Sequence, residues 1–373
     1  MDYKKLREEF YKKFATGKVK KYEKYSVANE AFPGNFNLSF SEPEMLEKFG
    51  GLINIKTDLL YTKIQPCIRF EDFKKLRDKK VDISDNYLGV FDMAGICLCY
   101  PNNKEIEKKT EELIKKSWEF LINKLKLDKK KIFVKCFNGG NIKDVSKEKY
   151  NINKEIEKDN LTISNWIRLG IPKENIILDK TRATILMLHI YRPTPWGYRN
   201  EILYKYNGKL IDIGTIEYLL WEPIFKENKI INIKEWENFC CLAVFGLERL
   251  NFIENKLKNI YDIETVNPLF KNILKNSKKK NINEAFLLTE AIRTSQRILT
   301  DSGGYEKLSR HRKKKLAIFI QQIGKSLKKL EIPTTKIEDF LNVNANSQPW
   351  YYELKRDVPL INKELLMALS RRF

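Results

Sequence analysis

Charged side chains stand at the ends of apolar, strand-like segments at several places in this sequence, and these residues could do chemistry. The first place is Arg69, which closes an apolar run, with Phe91 and its neighbours following in a second run. If the two runs form a hairpin, Arg69 could hold a phosphate while the Phe91 ring offers a face for a base to stack on. An edge-strand salt bridge would explain the same residues without a ligand.

Carboxylates form a second group on the two arms of a predicted hairpin. Asn207-Gly208 is a strong two-residue turn signal. It separates a segment that carries Glu201 from one that carries Asp212 and Glu217. Carboxylates on neighbouring strands repel each other unless they share a cation, and nucleotide-bound Mg²⁺ would serve. The alternative is that the strands turn these residues to solvent.

A third group lies where an apolar strand runs into a helix, at Phe245 to Leu250. Gly246 permits close approach of the backbone, and Arg249 would point from a rigid element into a cleft of the sheet. A solvated Glu248-Arg249 pair is the alternative. The sequence contains no GxxxxGK[ST] loop, GxGxxG turn or GxSxG elbow.

The elements that must position these groups indicate an α+β protein. Apolar and aromatic runs predict strands at 59–70, 87–100, 132–137, 184–190, 201–206, 210–220 and 239–244. Helical spacing predicts helices at 2–14, 104–127, 247–260 and 306–330. Segment 71–86 is expected to be a charged loop, and 138–160 a polar surface insertion. We therefore expect an antiparallel-looking α+β domain over residues 1–260 and a basic helical domain over 261–373.

Composition narrows the class of protein. With 42% hydrophobic and 12% aromatic residues among 373, the chain can bury a core, which excludes disorder as its main state. A net charge of +21 favours anionic partners such as nucleic acid or nucleotides, although AT-rich coding bias would also enrich Lys, Asn and Ile. We expect a reduced, intracellular protein, because no secretory signal or membrane-spanning run is visible.

Cysteine and histidine usage argues against a zinc site. Six cysteines form no repeating frame, and only two histidines occur. The pairs Cys97/Cys99 and Cys240/Cys241 are spaced too tightly for a CxxC knuckle. We therefore expect no zinc.

Taken in order, these groups resemble a class II aminoacyl-tRNA synthetase, and within that class the catalytic core of alanyl-tRNA synthetase. The likeness is collinear and covers nearly the whole chain. QPCIR (65–69) with VFDMAG (90–95) is similar to the family's motif 2, and VFGLERL (244–250) is similar to motif 3. Further similar segments are 118–137, LGIPKENII (169–177), PTPWGYRNEI (193–202) and AIRTSQRILTD (291–301).

This resemblance implies an antiparallel sheet flanked by helices, with ATP bound on the sheet. It implies that Arg69 binds the α-phosphate and the substrate carboxylate and that Arg249 binds the γ-phosphate, as the two catalytic residues. Phe91 would stack on adenine and Glu71 would sit near its amino group, although the alanyl branch usually lacks that acid. Asp92 and Glu248 complete the implied ATP-binding set, and Glu201 and Asp212 would hold Mg²⁺.

The substrate-binding positions depart from the family pattern. Leu242 stands where the family has an Asp for the substrate ammonium, Thr215 where it has an Asn, and Glu217 where it has a small apolar residue. We expect Glu217 to take over ammonium binding or to recognise a different side chain, so the substrate need not be alanine.

The C-terminal segment is expected to bind RNA. The resemblance places Arg293 in the family's tRNA-binding region, and the basic run could hold an acceptor stem by its phosphates through Arg310, Arg312, Lys313 and Lys314. A solvated helix face is the alternative. The family's editing and C-terminal domains have no counterpart in this sequence, so a truncated form is expected.

Three functional hypotheses follow. The first is a cytoplasmic ligase of protein biosynthesis that uses ATP and Mg²⁺ to adenylate an amino acid and transfers it to tRNA, with no membrane partner. The second is a stand-alone adenylating ligase that passes the amino acid to a carrier protein or a small molecule. The third is a non-catalytic RNA-binding paralogue.

Overall fold

A mixed β-sheet organises the first two thirds of the chain in the computed structural model, which describes residues 1–51, 53–80, 87–147, 149–187, 194–227 and 229–371. Within these residues the strands are β1 (Lys20–Lys21), β2 (Leu59–Ile68), β3 (Val90–Tyr100), β4 (Ile132–Phe137), β5 (Gly140–Asn141), β6 (Glu155–Ile156), β7 (Ile176–Asp179), β8 (Ile185–Leu186), β9 (Trp196–Tyr206), β10 (Lys209–Lys226) and β11 (Lys229–Gly246). Nine of them form one sheet in the order β1-β2-β3-β11-β10-β9-β4-β7, with β8 beside β9. The central pairs are antiparallel, while β1 with β2 and β4 with β7 are parallel.

Helices flank this sheet, and after β11 the described chain is mainly helical. They are α1 (Tyr3–Phe14), α2 (Glu42–Phe49), α3 (Phe70–Arg77), α4 (Ile106–Glu119), α5 (Ile142–Val145), α6 (Asn160–Arg168), α7 (Leu247–Glu254), α8 (Asn267–Asn276), α9 (Ile282–Ser302), α10 (Arg310–Leu330), α11 (Ile337–Asn346), α12 (Tyr352–Arg356) and α13 (Val358–Ser370). The predicted α+β class, an antiparallel-centred sheet with helices followed by a helical region, is therefore confirmed.

The two faces of the central strands have different neighbours, and this decides where a site can form. Because side chains alternate along a strand, Phe91, Met93 and Cys97 of β3 share one face, while Asp92 and Ala94 share the other. Helix α1 packs on the sheet with an apolar stripe at helical spacing: Tyr3, Leu6, Phe10 and Phe14.

Both hairpins that the sequence predicts are present. β2 pairs with β3 so that Cys67 lies opposite Phe91. At the β9–β10 turn, Asn207 and Gly208 have φ values of 48° and 78°, the left-handed values that this turn requires. The same two strands also approach closely at Gly197, where a Cβ would lie 2.0 Å from the Tyr218 carbonyl oxygen.

Two predictions about irregular segments were wrong. Part of segment 71–86 is α3, whose buried residues Phe70, Phe73 and Leu76 repeat every three positions and could have revealed the helix. Segment 138–160 is not a surface insertion, because Ile142 and Ile156 are buried in the main core. Of the predicted strand at 184–190, β8 is observed, and residues 188–190 lie outside the described part of the chain.

The main hydrophobic core runs through both halves of the chain, from Tyr3 beside the sheet to Leu369 in α13. Helix α9 packs against β3 and α3. The boundary near residue 260 accordingly stays a prediction. None of the helices in the described ranges is long and apolar enough to cross a lipid bilayer.

Candidate active site

A cavity of about 670 Å³ opens where α3 and the start of β3 face β10 and the start of α7. This volume lies in the range of small-molecule sites, about 300–1,000 Å³. Six of the residues that the sequence analysis selected line it: Arg69, Phe91, Asp212, Thr215, Glu248 and Arg249. The fold therefore brings together residues that are up to 180 positions apart in the chain (69 to 249).

Arg69 is the exposed cation on the α3 side of this cavity. It lies between β2 and α3, and its backbone N–H donates to the Gly89 carbonyl oxygen at 3.1 Å, which ties it to the start of β3. The guanidinium carbon stands 5.5 Å from the centre of the Phe91 ring. No carboxylate of the described residues forms an ion pair with it. Its side chain is thus available for an anionic ligand.

Arg249 supplies a second cation from the first turn of α7. Its Nη1 donates to the Asp212 backbone oxygen at 2.9 Å and lies 3.3 Å from Asp212 Oδ2. Asp212 is itself 42% exposed, so this pair faces the cavity rather than the core. An exposed ion pair is worth little by itself, and a phosphate can compete for Arg249 at small cost.

Glu201 and Glu217 flank a cation on the sheet. Lys135 Nζ contacts Glu201 Oε2 at 2.6 Å, and Arg199 lies 3.9 Å from Glu201 Oε1 and 3.6 Å from Glu217 Oε1. Burial raises the pKa of Glu217, and the Arg199 charge opposes that rise. The repulsion that suggested a shared Mg²⁺ is therefore relieved by these side chains.

The two carboxylates expected to hold Mg²⁺, Glu201 and Asp212, each have a cationic partner in the protein. In the part of the chain that the structure describes, neither belongs to a cluster of three or more potential metal ligands. Nucleotide-bound Mg²⁺ needs only one or two protein carboxylates. The magnesium assignment stays a prediction.

Asp92 is not among the residues that line the cavity, and its ATP-binding assignment stays a prediction. Strand alternation turns it to the opposite face, where its carboxylate accepts from Arg7 at 2.5 Å and from the Tyr351 hydroxyl at 2.7 Å. Its backbone N–H donates to both Glu248 carboxylate oxygens at 3.0 Å. Asp92 thus joins α1, β3 and the C-terminal helices.

Glu248 lines the cavity, but its carboxyl group is occupied by this bond to β3. Burial, followed by the neighbouring Asp92 charge, raises the pKa of Glu248 to about 8, against the opposing charge of Arg293. The Glu248 carboxyl group keeps its proton near neutral pH and bonds the backbone of β3, so it is suited to joining α7 to β3. These contacts argue against the ATP-binding role expected for Glu248.

Glu71 is exposed on α3 and is not among the lining residues, so it lies away from the place expected for an adenine contact. Asp72 and Lys75, which sequence reasoning missed, line the cavity instead and form an ion pair at 3.2 Å. Lys75 Nζ also stands 5.4 Å from the Tyr87 ring centre. The buried residues of α3 repeat every three positions, and recognising this repeat in the sequence would have predicted the helix that carries Asp72 and Lys75.

The substrate positions form adjoining rows across the strands. Thr215 lies opposite Glu201 and Val244, and Glu217 lies opposite Arg199 and Leu242. Leu242 is 3% exposed and belongs to a second apolar cluster on this face rather than to the cavity lining. Of Glu217 and Leu242, which lie side by side, Glu217 is the charged residue, and its carboxylate lies next to Arg199.

Two of the five residues expected to contact RNA, Arg293 and Arg312, are buried, and their RNA-binding assignment stays a prediction. Arg293 is 2% exposed and pairs with Glu290 at 2.5 Å. Arg312 donates to the carbonyl oxygens of Asn29, Phe32 and Asn35 and so holds the 29–35 loop. The neighbouring Arg310, Lys313 and Lys314 line a shallow surface depression at the start of α10, and Lys313 contacts Glu306 at 2.6 Å.

Comparisons with known proteins add a distant likeness. The chain is 24% identical over 356 residues to an alanine–tRNA ligase of Borreliella afzelii (strain PKo), a match that covers 88% of this chain and 54% of that protein. The chain thus spans about half the length of this curated relative. No protein-family model matches the chain.

Among solved structures, one described as a threonyl-tRNA synthetase from Aeropyrum pernix has a TM-score of 0.41 and 10% identity, over 78% of this chain and 67% of that one. So low a TM-score carries no argument. The likeness to the alanine–tRNA ligase supports a relationship to aminoacyl-tRNA synthetases in general, and the alanine type stays a prediction.

Proposed function

We propose that this chain is an aminoacyl-tRNA synthetase-like ligase that adenylates an amino acid with ATP and transfers it to tRNA. One observation carries the proposal: the Arg69 guanidinium has no carboxylate partner among the described residues, lies beside the Phe91 ring, and shares a cavity with Arg249. A nucleotide triphosphate offers what these groups bind, namely an aromatic base and several anionic phosphates.

The arrangement suggests an orientation for the nucleotide. Its base would stack on Phe91 and its first phosphate would lie at Arg69, while the terminal phosphate would reach Arg249. Mg²⁺, held by Glu201 and Asp212, would neutralise part of the phosphate charge. Each carboxylate already sits beside a cation, so binding would exchange partners at Arg249 and Lys135 rather than create new buried charges.

Adenylation requires the protein to position the two substrates, and it does not require a general base. The amino-acid carboxylate is already a nucleophile: its oxygen would attack the α-phosphorus, and the bond to pyrophosphate would break. Arg69 would neutralise the charge that gathers on both reacting groups. In the second step an acceptor hydroxyl would attack the activated carbonyl carbon and AMP would leave.

The amino-acid side of the site would lie along the Glu217 row. Glu217 lies on β10, next to the β11 strand that carries Leu242. From there its carboxylate would accept hydrogen bonds from the substrate ammonium. Arg199, 3.6 Å from Glu217, would hold that carboxylate in place while the ammonium binds its other side. Thr215 lines the cavity beside this row and would contact the substrate.

The acceptor is the second part of the proposal. Its support is the 24% identity to an alanine–tRNA ligase and the three cations Arg310, Lys313 and Lys314 that line a surface depression. One observation favours a different acceptor, such as a carrier protein or a small molecule. Arg293 and Arg312 are bound to partners inside the protein and do not face solvent. The expected RNA surface is smaller for that reason.

Amino-acid-dependent exchange of pyrophosphate into ATP tests the first step. We expect exchange with one amino acid of a panel, and a loss of at least 100-fold, about 2.7 kcal/mol, in Arg69→Ala, the size reported for removing one group that stabilises transition-state charge. Arg168→Ala is the matched control, because Arg168 is 65% exposed and its one ion pair among the described residues is with Glu111 at 3.2 Å.

Two results would contradict the proposal: exchange that is unaffected by Arg69→Ala, or no exchange with any amino acid. Charging of a total tRNA pool then separates the two acceptors. Exchange without tRNA charging would reject tRNA and leave the alternative acceptor.

A further inference from the structure

Three cysteine thiols meet on the cavity-side face of the sheet, at a place that the proposed function does not use. Cys97 and Cys99 are two residues apart on β3 and therefore share a face, and Cys240 of β11 lies directly opposite Cys99. The sulfur–sulfur distances are 3.3 Å for Cys97–Cys99, 3.7 Å for Cys97–Cys240 and 2.8 Å for Cys99–Cys240. All three residues are 0% exposed.

A fourth sulfur closes the group from outside the sheet. Met45 of α2 places its Sδ 4.0 Å from Cys99 Sγ. Phe40, Leu59 and Trp236 lie in the same buried cluster, and the Tyr61 side chain hydrogen-bonds Cys97 from one side. Four sulfur atoms from three separate elements thus converge in a space closed to water.

The thiols have weak partners in the absence of an ion. A thiol is a poor donor and a poor acceptor, so contacts among thiols alone contribute little to stability. Thiolate and thioether sulfur are the ligands that thiophilic ions prefer in proteins. The three fully buried thiols therefore form a set of ligands that could hold such an ion.

The spacing is close to what such an ion needs. With a metal–sulfur distance of about 2.3 Å, tetrahedral geometry puts neighbouring sulfur atoms about 3.8 Å apart. The Cys97–Cys240 distance of 3.7 Å already fits. The other two distances would have to open by about 0.5 to 1 Å, which side-chain rotation at Cys99 can supply.

We propose that Cys97, Cys99 and Cys240 bind one thiophilic metal ion, Zn²⁺ or Cu⁺, as three thiolates, with Met45 as the nearest further donor. The inference is independent of the proposed ligase function. It differs from the expectation of no zinc, which was based on spacing along the sequence. The pairing of β3 with β11 brings Cys240 next to Cys97 and Cys99, which are far from it in the sequence.

Metal titration of the purified, reduced, metal-free full chain tests the site. Co²⁺ substitutes for Zn²⁺ and gives near-ultraviolet sulfur-to-cobalt absorption that Zn²⁺ then abolishes. Cu⁺ is titrated without oxygen against a chromogenic chelator. We expect one equivalent of Zn²⁺ or of Cu⁺ to bind, and at least tenfold weaker binding in Cys99→Ser and in Cys240→Ser.

Cys241→Ser is the matched control, because Cys241 is buried next in sequence but belongs to the main core rather than to the thiol cluster. It should bind metal as the unmodified chain does. The titration of the unmodified chain decides the question even if a serine variant fails to fold. Metal at well below one equivalent, absorption that persists in Cys240→Ser, or a Cys99–Cys240 disulfide in place of metal under reducing conditions would overturn the proposal.

Discussion

Glu217 on β10 lies directly opposite Leu242 on β11. Directly opposed residues of an antiparallel pair have Cβ atoms about 4.5–5.5 Å apart on the same face of the sheet. A carboxylate from β10 can therefore reach space that an acidic residue at position 242 would fill from β11. This relationship gives a physical basis for the hypothesis that Glu217 binds the substrate ammonium.

Replacing Glu217 should damage amino-acid recognition. In Glu217→Gln the ammonium would lose its charged partner, and removing one partner of a buried charge pair costs about 2–5 kcal/mol, where about 1.4 kcal/mol is a factor of ten. We expect kcat/KM for the amino acid in pyrophosphate exchange to fall about 30-fold or more, with the KM for ATP little changed.

The control for this experiment is Glu222→Gln on the same strand, where Glu222 pairs with Lys234 at 3.1 Å. It should exchange pyrophosphate normally. Full activity of Glu217→Gln would show that the ammonium is bound elsewhere.

Asp92 should matter for stability rather than for ATP. Asp92→Asn leaves Arg7, whose side chain is 11% exposed, without its anion. Breaking such a buried pair costs about 3–5 kcal/mol of unfolding free energy. Urea unfolding should show this loss, while Asp357→Asn, which breaks a pair with the 62% exposed Arg356, should cost about 1 kcal/mol or less. A raised KM for ATP with unchanged stability would instead support the ATP-binding assignment.

Glu248 should make stability fall as the pH rises. The folded chain keeps its proton up to about pH 8, whereas the unfolded chain releases it near a pKa of about 4.3. The folded state therefore holds more protons between these values, so the unfolding free energy decreases with pH, by at most about 1.4 kcal/mol per pH unit from this group.

Glu248→Gln should remove that slope, because glutamine does not titrate. Urea unfolding between about pH 5 and pH 8 should show the unmodified chain losing stability relative to the variant as the pH rises. Glu237→Gln, at an exposed position, should run parallel to the unmodified chain. Parallel curves for Glu248→Gln as well would contradict the assignment.

The start of α10 should carry tRNA binding if tRNA is the acceptor. Changing Arg310, Lys313 and Lys314 to Ala removes three cations from one depression. Each lost phosphate contact lowers the salt-dependence slope of the binding constant by about 0.7–0.9, so the triple variant should lose up to about 2–3 in slope. Filter binding of a tRNA pool at several salt concentrations measures this.

The matched control changes Lys129, Lys130 and Lys131, which are exposed before β4, to Ala. The net charge falls equally, so a comparable loss in both variants would indicate binding by overall charge alone. Unchanged binding in the α10 variant would exclude this surface as the tRNA site.

Local patterns in the sequence were enough to predict several elements. Asn207-Gly208 predicted the β9–β10 turn, and the apolar runs on either side of residues 71–86 predicted the β2–β3 pair that carries Arg69 and Phe91. The α3 helix was missed because its charged residues outweighed the Phe70, Phe73 and Leu76 repeat. Elements set by neighbours along the chain are therefore predictable, since turn geometry and side-chain alternation are local properties.

The sequence by itself determined which residue types are available and which strands pair through short turns, because these depend on a few neighbouring residues. Only the tertiary structure decided which charges stay accessible. Asp92 finds Arg7 and Tyr351 at sequence separations of 85 and 259, and Arg312 finds Asn35 at 277. Cys240 meets Cys99 across 141 positions. Burial and pairing depend on distant partners, and the same residue is a ligand at the surface or a support inside the fold according to what packs against it.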